Sequence, residues 1–247
     1  MTIQNQTALI TGGGGGVGRM IAQTLVKAGV RVALLGRDRE RLEKARATLG
    51  PGEESAMVVP CDVTNREEVK STVESVLLEF KSIDILVCGA GINVASRSLR
   101  SVDPADWDRI IATNLTGAFN LVHFVLPSMR ERGNGLVIQL DSVSGKRANV
   151  VSGVAYSASK FGQAALGVCI GREERGRGIR STVIFAGEVN TPFLDARGAR
   201  PGGGDDTRRQ NILQAEDIAA AVRFLAELPP RVHIPELIIK PTIDDYS

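Results

Sequence analysis

The chain has 247 residues, 43% hydrophobic and 23% charged, the balance of a globular protein with a full core and the length of one large α/β domain or two small ones. A formal net charge of +2 excludes the strong basic field of a nucleic-acid binder. Three scattered cysteines (Cys61, Cys88 and Cys169), with no CxxC and no Cys/His cluster, argue against a disulfide framework and a zinc site and point to a reducing, cytoplasmic setting.

The first residues lack a basic stretch followed by a long apolar one, so no signal peptide is expected. No apolar run reaches about 18 residues, so no membrane-spanning helix is expected either. Thr7–Thr11 reads as a buried parallel strand running into five consecutive glycines, Gly12 to Gly16, then Val17 and Gly18. Met20, Ile21, Leu25 and Val26 follow at helical spacing. Strand, glycine turn and helix are the context of a phosphate-binding loop: glycine lets the backbone approach a pyrophosphate, and the helix start supplies N–H donors. Two registers fit, GxGxxG on Gly13, Gly15 and Gly18, or TGxxxGxG on Gly12, Gly16 and Gly18.

Residues 30–35 form a second strand, ending in Gly36, Arg37, Asp38 and Arg39. A dinucleotide fold meets the adenosine ribose about 20 residues past its glycine turn. Gly36 leaves the strand end uncharged and Arg37 offers a guanidinium to a 2′-phosphate, so preference for NADP(H) is expected. Asp38 opposes this if the turn shifts by one residue and turns its carboxylate to a ribose hydroxyl. A third strand at 56–59 leads to Asp62 and Val63, with Thr64 or Asn65 as the cap of the next helix. Asp62 is placed for an adenine amino group, or simply for the turn.

A fourth strand at 83–88 ends in Gly89, Ala90 and Gly91, whose small side chains leave room for a cofactor at the sheet edge. Residues 106–130 follow a long helical pattern that contains Asn114, Thr116 and Gly117, poor interior residues that predict a local irregularity. A fifth strand at 135–140 leads to Asp141 and Ser142, and a helix then runs over 156–175. Tyr156 and Lys160 lie one turn apart on it. A cation beside a phenol lowers its pKa from about 10 toward the range of a working acid or base. A sixth strand at 181–185 runs into Val189 and Thr191, and a last strand is predicted within 232–239. The stretch 191–210, rich in Gly and Arg, reads as a mobile substrate lid reaching about residue 212. Arg197 or Arg200 would there meet an acidic substrate or a phosphopantetheine carrier, or face solvent. The alternation of strands and helices, with no linker, predicts a single-domain α/β fold over 1–247, a Rossmann-type doubly wound parallel sheet with helices on both faces.

Taken together and in order, Thr11, Gly12, Gly16, Val17, Gly18, Asp62, Val63, Ala90, Gly91, Asn114, Ser142, Tyr156 and Lys160 resemble the short-chain dehydrogenase/reductase family, of the NADP-preferring type, across nearly the whole chain. The resemblance favours the TGxxxGxG register. It implies an oxidoreductase interconverting a ketone or aldehyde with an alcohol. Tyr156 would be the general acid or base, and Lys160 would lower its pKa and bind the nicotinamide ribose. Ser142 would hydrogen-bond the substrate oxygen, and Asn114 would hold a water linking Lys160 to solvent. Thr191 and Val189 would lie at the nicotinamide. Relatives pair the two long helices and the last strand, so a homotetramer or homodimer is expected, with no nucleic-acid or membrane partner. A regulatory protein without turnover, or an epimerase or lyase on the same fold, is the alternative. The chain departs from the family at Cys88-Gly89, where two asparagines are usual, at Ala186, where proline is usual, and at Asp141, where a small residue is common. Its C-terminus is similar to a subgroup acting on hydroxy acids and other small polar alcohols.

Overall fold

A computed structural model of the chain describes residues 2–50, 53–196 and 206–244. The elements in order are β1 (Thr7–Thr11), α1 (Gly16–Lys27), β2 (Arg31–Gly36), α2 (Arg39–Ala47), β3 (Ala56–Pro60), α3 (Arg66–Phe80) and β4 (Ile85–Cys88). Then come α4 (Pro104–Ile111), α5 (Gly117–Arg132), β5 (Gly135–Ser142), α6 (Val154–Glu173), β6 (Ile179–Ala186), α7 (Pro192–Ala196), α8 (Asp206–Asn211), α9 (Ala215–Glu227) and β7 (Glu236–Ile239). The strands form one parallel sheet in the order β3-β2-β1-β4-β5-β6-β7.

The order reverses between β1 and β4, which opens a crevice at the carboxyl ends of these strands. Strands such as Leu34 and Leu35 of β2 or Leu86 and Val87 of β4 are fully buried because helices cover both faces. Residues of α1, α2 and α9 (Ile21, Leu25, Leu42, Val222) pack on one face. Residues of α3 and α5 (Val73, Val76, Leu121, Val125) pack on the other.

Local chemistry sets the helix ends. Asn65, one of the two expected caps, accepts from the backbone N–H groups of Glu67 and Glu68 at the start of α3. Asp103 caps α4 with Pro104 at the first helical position. Gly133 stops α5 in the left-handed region at φ +64. Gly178, at φ +72 before β6, nests against it: a β-carbon on Gly178 would overlap the Gly133 carbonyl oxygen.

The structure sharpens the expected elements. The long helix is interrupted by a π-helical turn, Ala112–Thr116, at the irregularity expected there. Gly117 ends that turn because a β-carbon would run into Val63 of the loop after β3. The fourth strand starts at Ile85 rather than at Ile83. The last strand is confined to Glu236–Ile239, because Pro235 has no N–H for the ladder and only lends its carbonyl to Val183 at 2.9 Å.

By length and composition the helical stretch Pro104–Arg132 is apolar enough to cross a membrane, with hydropathy 1.4 over its most apolar window. Half of that window is buried in the fold. Its residues Leu121, Val125 and Met129 are fully buried in the core, which is how a core helix satisfies the same pattern.

Candidate active site

One cavity of about 780 Å3 follows the carboxyl ends of the strands, from Arg37 and Lys44 past the glycine loop to Ser142, Tyr156 and Phe193. The sequence-predicted residues Gly12, Gly16, Val17, Gly18, Asp62, Val63, Ala90, Gly91, Lys160, Val189 and Thr191 line it as well. Asn114 lies behind it, fully buried.

The glycine loop is built for close backbone approach. Gly12 sits at φ +72, and a β-carbon on Gly18 would overlap the Gly12 carbonyl oxygen. Gly15 precedes α1 without any side-chain cap, and the first turn holds no acidic residue. The N–H groups there stay available to an anion, so the cradle fits a dinucleotide pyrophosphate. Thr11, at the end of β1, ties this loop to the next strand. Its hydroxyl accepts from the N–H groups of Gly89 (2.9 Å) and Ala90 (3.0 Å) and donates to the Val87 carbonyl. Gly91 lies beside Asn114. Opposite, the Thr191 methyl lies 3.0 Å from where a β-carbon on Gly16 would be, so the segment after β6 closes on the glycine loop. Val189 bridges to Leu213.

At the adenosine end, Asp38 accepts from the Arg41 N–H as the cap of α2. Arg37 is exposed at the cavity edge. Arg19 and Arg41, which the sequence reading missed, stand with it on the cavity wall. Their signal was positional: Arg19 directly follows Gly18, and Arg41 lies in the first turn of α2. Asp62 uses Oδ1 in the turn reading, accepting from the N–H (2.9 Å) and hydroxyl (2.8 Å) of Thr64. Val63 is buried, and its carbonyl accepts from Asn120.

At the other end, Ser142 closes β5 and its hydroxyl accepts from the Ser144 N–H at 3.1 Å. Tyr156 lies in the first turn of α6, its ring 6.0 Å from that of Phe193. The Lys160 Nζ lies 5.8 Å from the centre of the Tyr156 ring. That ammonium donates to the Leu140 carbonyl at 2.8 Å and to Gln163 Oε1 at 2.7 Å. Burial lowers its pKa, and the nearby Asp141 and Cys88 act against that. The Asp141 carboxyl is pushed up to about 6, chiefly by burial, with Lys160 and the Ser142 N–H opposing. Burial pushes the Cys88 thiol up to about 12.

Both donors of the Asn114 side chain are engaged. It accepts from the Ile92 N–H at 2.8 Å and donates to the Ile92 carbonyl and the Ser159 hydroxyl, both at 3.0 Å. Arg197 and Arg200 lie outside the described residues. Of the stretch read as a lid, α7 and α8 are described. Arg208 of α8 bridges Glu188 (3.0 Å) and Asp244 (3.1 Å).

A parallel sheet reversing at β1/β4, a side-chain-free phosphate cradle at that switch point, and a Ser-Tyr-Lys group at the far end of the same cavity define a Rossmann-type oxidoreductase. The model of the short chain dehydrogenase family matches residues 6–201, and the chain belongs to that family. It is 32% identical over 243 residues to the serine 3-dehydrogenase of Rhizobium radiobacter, covering 98% of this chain and 96% of that one. A metagenomic short-chain oxidoreductase solved in complex with NADP is 28% identical at a TM-score of 0.83, covering 99% of this chain and 100% of that one. The 3-ketoacyl-(acyl-carrier-protein) reductase of Brucella melitensis, solved with NADH, is 25% identical at a TM-score of 0.87, covering 97% and 98%.

Proposed function

We propose that the protein is an NADP(H)-dependent oxidoreductase that interconverts a ketone or aldehyde and an alcohol, with Tyr156 as general acid and base. The observation that carries this reading is the single cavity shared by the glycine loop, Ser142, Tyr156 and Lys160. The bound nicotinamide supplies or accepts the hydride. In reduction the Tyr156 hydroxyl gives its proton to the substrate oxygen; in oxidation the phenolate takes it back. The Ser142 hydroxyl donates to the same oxygen as negative charge develops on it. The Lys160 ammonium favours the phenolate and holds the nicotinamide ribose. Asn114, in the π-helical turn, holds the relay water that links Lys160 to solvent.

Arg37, with Arg19 and Arg41, binds the 2′-phosphate that makes NADP(H) the preferred cofactor. Asp38 spends one carboxylate oxygen as the cap of α2. The substrate is a small polar alcohol or hydroxy acid, as the likeness to a serine 3-dehydrogenase suggests. Trp107 of α4, Phe119 of α5 and Phe161 of α6 are partly exposed apolar side chains on the two long helical stretches, consistent with a homodimer or homotetramer. The protein works in the cytoplasm.

The test is a panel of small ketones and alcohols with NADP(H) and NAD(H), followed at the absorbance of the reduced nicotinamide. Net change with NADP(H) and at least one secondary alcohol or ketone is expected. Substrate conversion without net absorbance change would show an enzyme that only cycles its cofactor, and would overturn the proposal.

A further inference from the structure

Behind Tyr156 the sheet carries polar side chains where its neighbours are apolar. Gln139 and Asp141 alternate with Ile138 and Leu140 along β5 and, by the period of a strand, point to the same face. That face is covered by α6, which brings Lys160 and Gln163 against them. Gln139, Asp141, Lys160 and Gln163 are all buried, at 0%, 5%, 4% and 0% exposure.

The bonding fixes each group's role. Gln163 Nε2 donates to Gln139 Oε1 at 3.0 Å and to the Cys88 carbonyl at 3.3 Å. Its Oε1 must therefore face Lys160 as an acceptor, which favours the ammonium over the amine. Two of the three Lys160 donors are thereby held on Gln163 and Leu140. Asp141 accepts from the Ser142 N–H at 2.6 Å through Oδ1, while its buried Oδ2 has no partner among the described residues. A buried carboxylate with an open oxygen, on the strand face that carries a buried ammonium but not in direct contact with it, is a compensating charge.

We propose that Asp141 is the counter-ion of Lys160 and that Gln163 anchors the ammonium beside it, making both positioning residues for the Tyr156 proton transfer. The inference rests on the proposed role of Tyr156. The titratable groups around Asp141 are Lys160 and Tyr156 from α6; Cys88 of β4 faces Lys160. On the β6 side, Phe185 separates Asp141 from Lys146 and Glu236, which pair with each other. A carboxylate here raises the pH at which Lys160 and Tyr156 give up their first proton, because it opposes loss of a proton from either. The upward shift of Asp141 itself, to about 6, leaves it ionised at neutral pH.

The experiment titrates both partners in the intact protein without turnover. Tyr156 is read by tyrosinate absorbance against Tyr156→Phe, and Lys160 by NMR of isotope-labelled lysine assigned with Lys160→Met. In Asp141→Asn the earlier of the two curves is expected to fall by roughly one pH unit. Superimposable curves, or an upward shift, would overturn the proposal. Asp141→Ser is read the same way should the amide variant not fold. A wild type that turns over no alcohol would defeat the proposed function, while these titrations would still decide the counter-ion role.

Discussion

The Asp38 carboxylate accepts a hydrogen bond from the backbone N–H of Arg41 at 3.1 Å. The same bond starts α2 and engages one carboxylate oxygen of an acid that lines the cavity beside Arg37. Arg37 is then free to set cofactor preference by charge. Arg37→Asp is expected to weaken NADP(H) by about tenfold to a hundredfold, the loss of a charge-assisted bond plus repulsion, and NAD(H) far less. Dissociation constants for both nucleotides check this; tighter NAD(H) binding by the wild type would contradict it.

Tyr156→Phe removes one hydroxyl from a ring that packs near Phe193. Turnover should fall by at least about a hundredfold, the contribution of a positioned acid or base. NADP(H) binding, measured by calorimetry, should stay nearly intact. A variant retaining most of its turnover would place the proton transfer elsewhere.

Gly18→Ala puts a methyl into the Gly12 carbonyl. Overpacking of this kind destabilises by about 1–3 kcal/mol. Because the clash lies within the phosphate cradle, nucleotide affinity should fall more than the urea midpoint does. Equal affinity for wild type and variant would show that the loop relaxes at no loss.

Asp141 gives a pH signature. Its folded pKa, about 6, is raised above the ordinary 3.8. The folded state therefore binds the proton more tightly, and stability falls as pH rises from about 4 to about 6. The full effect is up to about 3 kcal/mol. Asp141→Asn lacks this dependence, so its stability relative to wild type should climb across that window and then level off. Denaturant unfolding at several pH values measures it, and a constant difference would contradict the assignment.

Much of this was legible in the chain because it is written in local pattern. Leu34-Leu35 and Leu86-Val87 announce buried parallel strands, and the glycines after Thr11 announce the turn between strand and helix. Asn114 and Gly117 announced a broken helix, since both are poor in its interior. What stayed hidden depends on contacts across the fold. Gln163 lies one helical turn past Lys160, but nothing near Gln139 in sequence shows that this strand residue meets Gln163 across the fold. Whether Asp38 faced a ribose or capped a helix turned on a single residue of turn geometry. The last strand was placed only within 232–239, and the missing N–H of Pro235 decides where the ladder starts.

Gly133 and Gly178 meet backbone to backbone at the amino-terminal edge of the sheet, each in a left-handed turn. A β-carbon on Gly178 would run into the Gly133 carbonyl, so the two turns stay in contact only while Gly178 has no side chain. At the opposite edge Gly12, at φ +72, meets the Gly89 carbonyl after β4 in the same way. The two contacts hold different pairs, β5 with β6 and β1 with β4, so the sheet is kept in register at both rims.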